Sequence, residues 1–202
     1  MILSPLPMAL GASTNTTWQA VGISEFMATN RTTVLDVDGD PSGWIEIFNP
    51  TTNDISLSGW SLTDDPNNLR QWLFPNVVIP DAGDANGSDN FLVVFASGKN
   101  RATNTAELHS NFKLPLTGGY LALVDNKRNF VSVFTNYPPE SPDISYGRDP
   151  FNPNFAGFFS ATTPVILIQP AAQIFHPPSN FPGPAAHLSR RLICNCRFPI
   201  AR

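Results

Sequence analysis

Cysteine is nearly absent from this chain. Of 202 residues, only Cys194 and Cys196 carry thiols. A body without cysteine has no disulfide framework to hold it. The C-x-C pair alone supplies two of the four ligands of a structural zinc site, so unstructured thiols are the preferred reading. Histidine is scarce too, at His109, His176 and His187. His109 lies near Glu107, but no motif such as G-x-S-x-G places a nucleophile for them. The chain is therefore expected not to be an enzyme. No apolar run approaches the ~18 residues of a membrane span. The opening MILSPLPMALGAS is apolar but short, is broken by Pro5 and Pro7, and lacks a basic n-region. It reads as a disordered leader in preference to a degraded signal peptide. Charged residues make up 14%, well below the usual ~25%. No helical period is found anywhere.

The surplus lies in turn formers. Twenty prolines and 13 glycines accompany many Asn, Ser and Thr. Apolar residues at 42% are enough for a core. A domain of roughly 150 residues buries about 68–70% of its unfolded surface and folds without staples. The net charge of −4 hides an asymmetry. Residues 1–164 hold all 16 acids and eight of the 12 bases, and residues 165–202 hold four arginines and no acid. An acidic body argues against nucleic acid, whose phosphates need a basic face. It is compatible with a divalent cation.

Short strands with turn signals every 8–12 residues run along the chain. In GWIEIFN, 43–49, Trp44, Glu46 and Phe48 share one face while Ile45 and Ile47 share the other. WQAVGISEFMA, 18–28, reads as a strand whose phase shifts near Ser24 and Glu25, which predicts a bulge. FLVVFA, 91–96, is a continuous apolar run and reads as a central strand buried on both faces. ELHSNFKL, 107–114, reads as a short strand or an irregular crossing. YLALV at 120–124 and FVSVF at 130–134 flank the turn DNKRN and read as a hairpin. The sum is an all-β sandwich of seven to nine short strands, with a barrel as the main alternative. The expected layout is a disordered leader over 1–17, a sandwich over 18–163 and a Pro-rich disordered tail over 164–202. The ending RRLICNCRFPIAR reads as the product of a truncated gene or a shifted frame.

The ordered pieces ISEFMATN (23–30), DVDGDPSGWIEIFNP (36–50), LSGWSLTDD (57–65), WLFP (72–75), LVVFASGKNR (92–101), ELHSNFKL (107–114), GYLALVD (119–125) and DISYG (143–147) resemble the lamin-tail domain in its bacterial form. The match in order and spacing runs over roughly 22–163. The resemblance implies an immunoglobulin-like sandwich. It also implies a non-catalytic module of a secreted or cell-surface protein, often beside a hydrolase, kinase-like or further β-sandwich domain. Two departures stand out. The loop 81–90 is longer than the family's turn. The family's Thr-Pro-Gly exit is only partly kept at 160–164, and no second domain is read after it.

Candidate chemistry concentrates in Asp36, Asp38 and Asp40. Carboxylates crowded into five residues repel unless a cation or hydrogen bonds offset them. Calcium is the candidate cofactor, since it takes six to eight oxygens in irregular loops. The spacing is not that of an EF-hand, because Gly39 comes at the fourth position and no Glu at the twelfth. Glu46, Asp64 and Asp65 would complete a shell only if the fold brought them close. The competing and preferred reading is a solvated turn whose Asp side chains cap backbone N–H groups. Asp81, Asp84 and Asp89 form a second acidic loop, read as a surface insertion. Lys99 and Arg101 flank a loop read as a solvated basic turn. Trp18, Trp44, Trp60 and Trp72 are candidates for a sugar-binding face but fit core positions better at strand spacing. Two functions follow as expectations. The first is a contact or adhesion module for a protein partner, acting through sheet edges or the loops 97–105 and 81–90. The alternative is an accessory domain that binds polysaccharide for an extracellular hydrolase.

Overall fold

The structure is a computed structural model that describes residues 18–82, 90–102, 107–149 and 152–160. The leader over 1–17, Asp84, Asp89, His176, His187, both cysteines and the tail over 164–202 lie outside the described residues. The compact unit ending at Ala171 contains every strand described.

Among the described residues there are twelve strands and no helix. In chain order they are β1 (Gly22–Met27), β2 (Trp44–Phe48), β3 (Ile55–Ser56), β4 (Ser61–Thr63), β5 (Trp72–Leu73), β6 (Val78–Ile79), β7 (Phe91–Phe95), β8 (Leu108–His109), β9 (Gly119–Val124), β10 (Phe130–Tyr137), β11 (Ser145–Arg148) and β12 (Ala156–Phe159). One sheet has six strands in the order β12-β11-β1-β2-β7-β8, a second has four in the order β10-β9-β4-β5, and β3 pairs with β6. All pairings are antiparallel except that of β7 with β8. The count exceeds seven to nine, and β3, β5, β6 and β8 are pairings of two residues each. The fold is the immunoglobulin-like sandwich.

The alternation in β2 decides what lies on each side of its sheet. Ile45 and Ile47 enter the main core with Ile23, Phe26, Leu62, Leu121 and Leu123. Each such burial is worth about 1.5–3 kcal/mol. Trp44, from the opposite face, packs with Met27 and Phe95 in a second cluster that Val34 helps to cover. Both faces of β2 are therefore buried, and the segment entering the acidic turn lies against the outer one. The β1–β2 register shifts between Ile23 and Glu25, so the bulge is where the phase change predicts it. It leaves Ser24 Oγ to donate to Glu46 Oε1 at 2.7 Å, and Ser145 Oγ donates to Glu25 Oε1 across the β1–β11 pair. The β8 edge is closed by its own approach loop. Gly98 N donates to Phe112 O at 3.1 Å, Asn100 N to Ser110 O at 3.0 Å, and Arg101 and His109 exchange bonds of 2.9 and 3.0 Å. This return places Lys99 and Arg101 over the outer face, beside the acidic turn.

Candidate functional site

The 36–40 segment is shaped first by its own hydrogen bonds. Asp36 Oδ1 accepts from the backbone N–H of Asp38 and of Asp40, each at 3.0 Å. Ser42 Oγ donates to Asp36 Oδ2 at 3.1 Å. Gly39 N donates to Asp36 O at 2.9 Å, and Gly39 takes φ +81°, where a side chain would be strained. The Asp side chain thus caps backbone N–H groups.

The three carboxylates also converge, on Lys99. Its Nζ lies 2.5 Å from Asp36 Oδ2, 2.6 Å from Asp38 Oδ2 and 2.8 Å from Asp40 Oδ2. An ammonium has three N–H donors, and each carboxylate takes one. Arg101 Nη2 adds a contact of 2.7 Å to Asp38 Oδ2. Hydrogen bonds from Lys99 and then Arg101 bring Asp38 down to about 2. At Asp36, desolvation pushes upward, but hydrogen bonds from Lys99, the Asp40 backbone and Ser42 outweigh it, and the net shift is downward. At Lys99, desolvation pulls downward and the three carboxylates more than reverse it. Asp36, Asp38, Lys99 and Arg101 are therefore each held in their charged forms at neutral pH.

The carboxylates of Asp36, Asp38 and Asp40 lie within 4.8 Å of one another, close enough to share one cation. As a calcium shell they fit poorly. Asp36 Oδ1 is committed to two N–H groups, and an oxygen of every carboxylate faces Lys99. Two of the other acids proposed for the shell are used elsewhere. Glu46 accepts from Ser24, and Asp65 caps Asn67 N at 2.8 Å.

A second layer braces Lys99 from below. Ser97 Oγ accepts from Lys99 N at 3.1 Å and lies 2.9 Å from His109 Nδ1. Nε2 of the same ring lies 3.4 Å from Glu107 Oε2. Glu107 Oε2 also accepts from Val37 N at 2.8 Å. His109 is fully buried and stacks on Phe95 with centroids 5.2 Å apart. Desolvation first, and the Arg101 charge second, hold its pKa below 6.5. Serine, histidine and acid occur together here, but they tie the 97–101 loop, β8 and the acidic turn to one another.

The network holds a short apolar tip. Leu35 and Val37, on either side of Asp36, are 59% and 66% exposed. A groove of about 510 Å³ opens beside the turn, walled by Asn30, Asp40, Ser42, Lys99, Lys113 and Leu116 among others. The tryptophans are not in this region's surface. Trp44 and Trp72 are buried, and Trp18 is half-buried edge-on to Phe48.

Sequence reasoning grouped Asp36, Asp38 and Asp40 as a candidate metal site and read Lys99 and Arg101 as a solvated turn. The available signal was the opposite charge of DVDGD and GKNR. It lacked the pairing of 98–101 with β8, which brings them together. Glu140 was missed altogether. It is 6% exposed, its Oε2 accepts from Ala28 N at 2.7 Å, and its Oε1 has no hydrogen-bond partner. Desolvation raises it to about 7.

No curated protein matches the chain. The family model of the lamin tail domain matches residues 14–137, from ahead of β1 through the end of β10. With its two-sheet sandwich, the chain belongs to the lamin tail domain family, a family of non-enzymatic immunoglobulin-like modules.

Proposed function

We propose that this chain is a protein-contact module of a secreted or cell-surface protein, and that Leu35 and Val37 form its contact tip. One observation carries the reading. Two large apolar side chains stand exposed on a turn that is fixed by four charge contacts and a backbone cap. Exposed apolar groups on a prefixed segment lose little conformational entropy when they meet a partner. Lys99 supplies an internal cation to the turn, which supports a reading in which the tip is held by the chain's own charges.

The test is a photo-cross-linking residue at Val37 in the full chain, expressed in its native host. The expected product is a discrete protein adduct from position 37 and none from the exposed control position Asn67. An adduct to polysaccharide would move the function to the accessory role beside a hydrolase. Absence of any adduct from Val37, with the protein outside the cell, would refute the contact tip. Cell fractionation reports the location in the same experiment.

A further inference from the structure

We propose that β12 is a self-pairing edge, at which two copies of this chain join antiparallel across a two-fold axis. Asp149 N donates to Phe155 O at 3.0 Å, and β11 pairs with β12 through Ser145↔Phe159, Tyr146↔Phe158, Gly147↔Gly157 and Arg148↔Ala156. Hydrogen-bonded pairs alternate with non-bonded ones in an antiparallel ladder. The bonded pairs are thus those of Phe155, Gly157 and Phe159. The N–H and C=O groups of Ala156 and Phe158 face away from β11, along the outer edge of the six-stranded sheet.

Edges are usually blunted by charge, proline or a covering loop. Other edges of this molecule are blunted in this way. The 98–101 loop closes β8, and Arg148 Nη2 donates to Val133 O on β10 at 2.9 Å. Among the described residues β12 has none of these devices, since residues 152–160 carry no charge and Pro153 lies before the strand. The body over residues 1–164 is acidic, with 16 acids against eight bases, so a neutral strand is where two such bodies meet with least repulsion.

A two-fold axis through Gly157 makes the strand complementary to itself. Ala156 then faces Phe158 of the copy, and their outward N–H and C=O groups exchange bonds. Gly157 meets Gly157, and the Phe155 ring of each copy lies over its own Gly157. On one face Phe158, which is 51% exposed and packs edge-on to Tyr146 at 5.1 Å, lies over the small Ala156. On the other face Phe155, 60% exposed, meets Phe159. Aromatic pairs and large-on-small pairs of this kind stabilise adjacent strands. Four residues per copy bury little area, which places the dimer in the weak, transient class.

Self-pairing goes beyond the contact tip, because Leu35 and Val37 can engage a partner whether or not β12 pairs. The test is sedimentation velocity of the full chain over a concentration series. The wild type is expected to dimerise with a Kd of roughly 10–1000 μM, the weak range of small interfaces. Phe158→Lys charges the edge and Phe158→Pro removes its outward N–H without touching the bonds to β11. Each is expected to weaken the dimer at least ~tenfold. Phe130→Lys, on the other sheet, is expected to leave it unchanged. Thermal melts check that each variant folds, and Phe158→Lys suffices should the proline variant not fold. A wild type that stays monomeric to about 1 mM, or a dimer unchanged in the folded Phe158 variants, overturns the proposal.

Discussion

Asp36 and Glu140 are both buried carboxyls, 4% and 6% exposed, yet they are pushed in opposite directions. Asp36 has two backbone N–H groups, Ser42 and Lys99 as donors. Glu140 has the single N–H of Ala28, and Tyr137 and the 138–144 connection lie beside it. Burial penalises both anions, more heavily at Glu140, and the partners decide whether the penalty is overcome. At the acidic turn they overcome it, so the turn is rigid and charged. At Glu140 they do not, so this part of the fold weakens as the pH rises.

The largest expected effect comes from removing the cation. Lys99→Met leaves three carboxylates facing one another and should cost about 2–3 kcal/mol at pH 7, less than a fully buried pair because Asp38 and Asp40 are partly wet. Chemical denaturation measures it. Lowering the pH should recover much of the loss as the acids protonate, which would bring Asp36 to resemble Glu140.

Glu140→Gln should act in the opposite sense. The folded pKa of about 7 lies above the ordinary 4.5. The folded state therefore holds the proton more tightly, and this stability is complete below pH 4.5 and lost as the pH rises through 7. The shift alone corresponds to at most about 3 kcal/mol. The amide leaves one polar atom without a partner, so a gain of about 1–2 kcal/mol at pH 8 is expected, and none at pH 4. Asp36 has the reverse linkage. Its stability is present above 3.8 and is lost as the pH falls through its lowered folded value. Urea midpoints of wild type and variant from pH 3 to 8 check both signs.

Asp40→Asn should matter least. The Asp40 side chain is 62% exposed, and its loss should cost under about 1 kcal/mol and fade in 1 M salt. A cost equal to that of Lys99→Met would break the distinction between the buried and the exposed members of the turn.

Much of the fold was legible because local pattern and burial agree. The Trp44–Phe48 alternation, the bulge at Ser24 and Glu25, and the hairpin around Asp125–Asn129 each follow from a period or a turn. The strand β12 was not legible, since Ala156-Gly157-Phe158-Phe159 has no alternation and a glycine in its middle. The parallel pairing of β7 with β8 is a long-range fact that the two residues of β8 cannot encode locally. The site was half legible. Crowding of Asp36, Asp38 and Asp40 announced a need for compensation, and Gly39 announced a turn. The identity of the compensating group was hidden because Lys99 lies some sixty residues further on. Glu140 had no signal, as its neighbours in sequence are prolines and serine and its burial comes from contacts with Ala28 and Leu116.

The most direct test of Lys99 as the cation of this turn is thermal unfolding in calcium and in chelator. The Lys99 arrangement predicts the same midpoint for the wild type in both, and a calcium-dependent rise in Lys99→Met, where the three carboxylates lose their ammonium. A ligand at 100 times its Kd adds about 2.7 kcal/mol, a shift of several degrees for a domain of this size. Such a shift in the wild type, abolished by Asp38→Ala, would contradict the assignment and make the turn a calcium site.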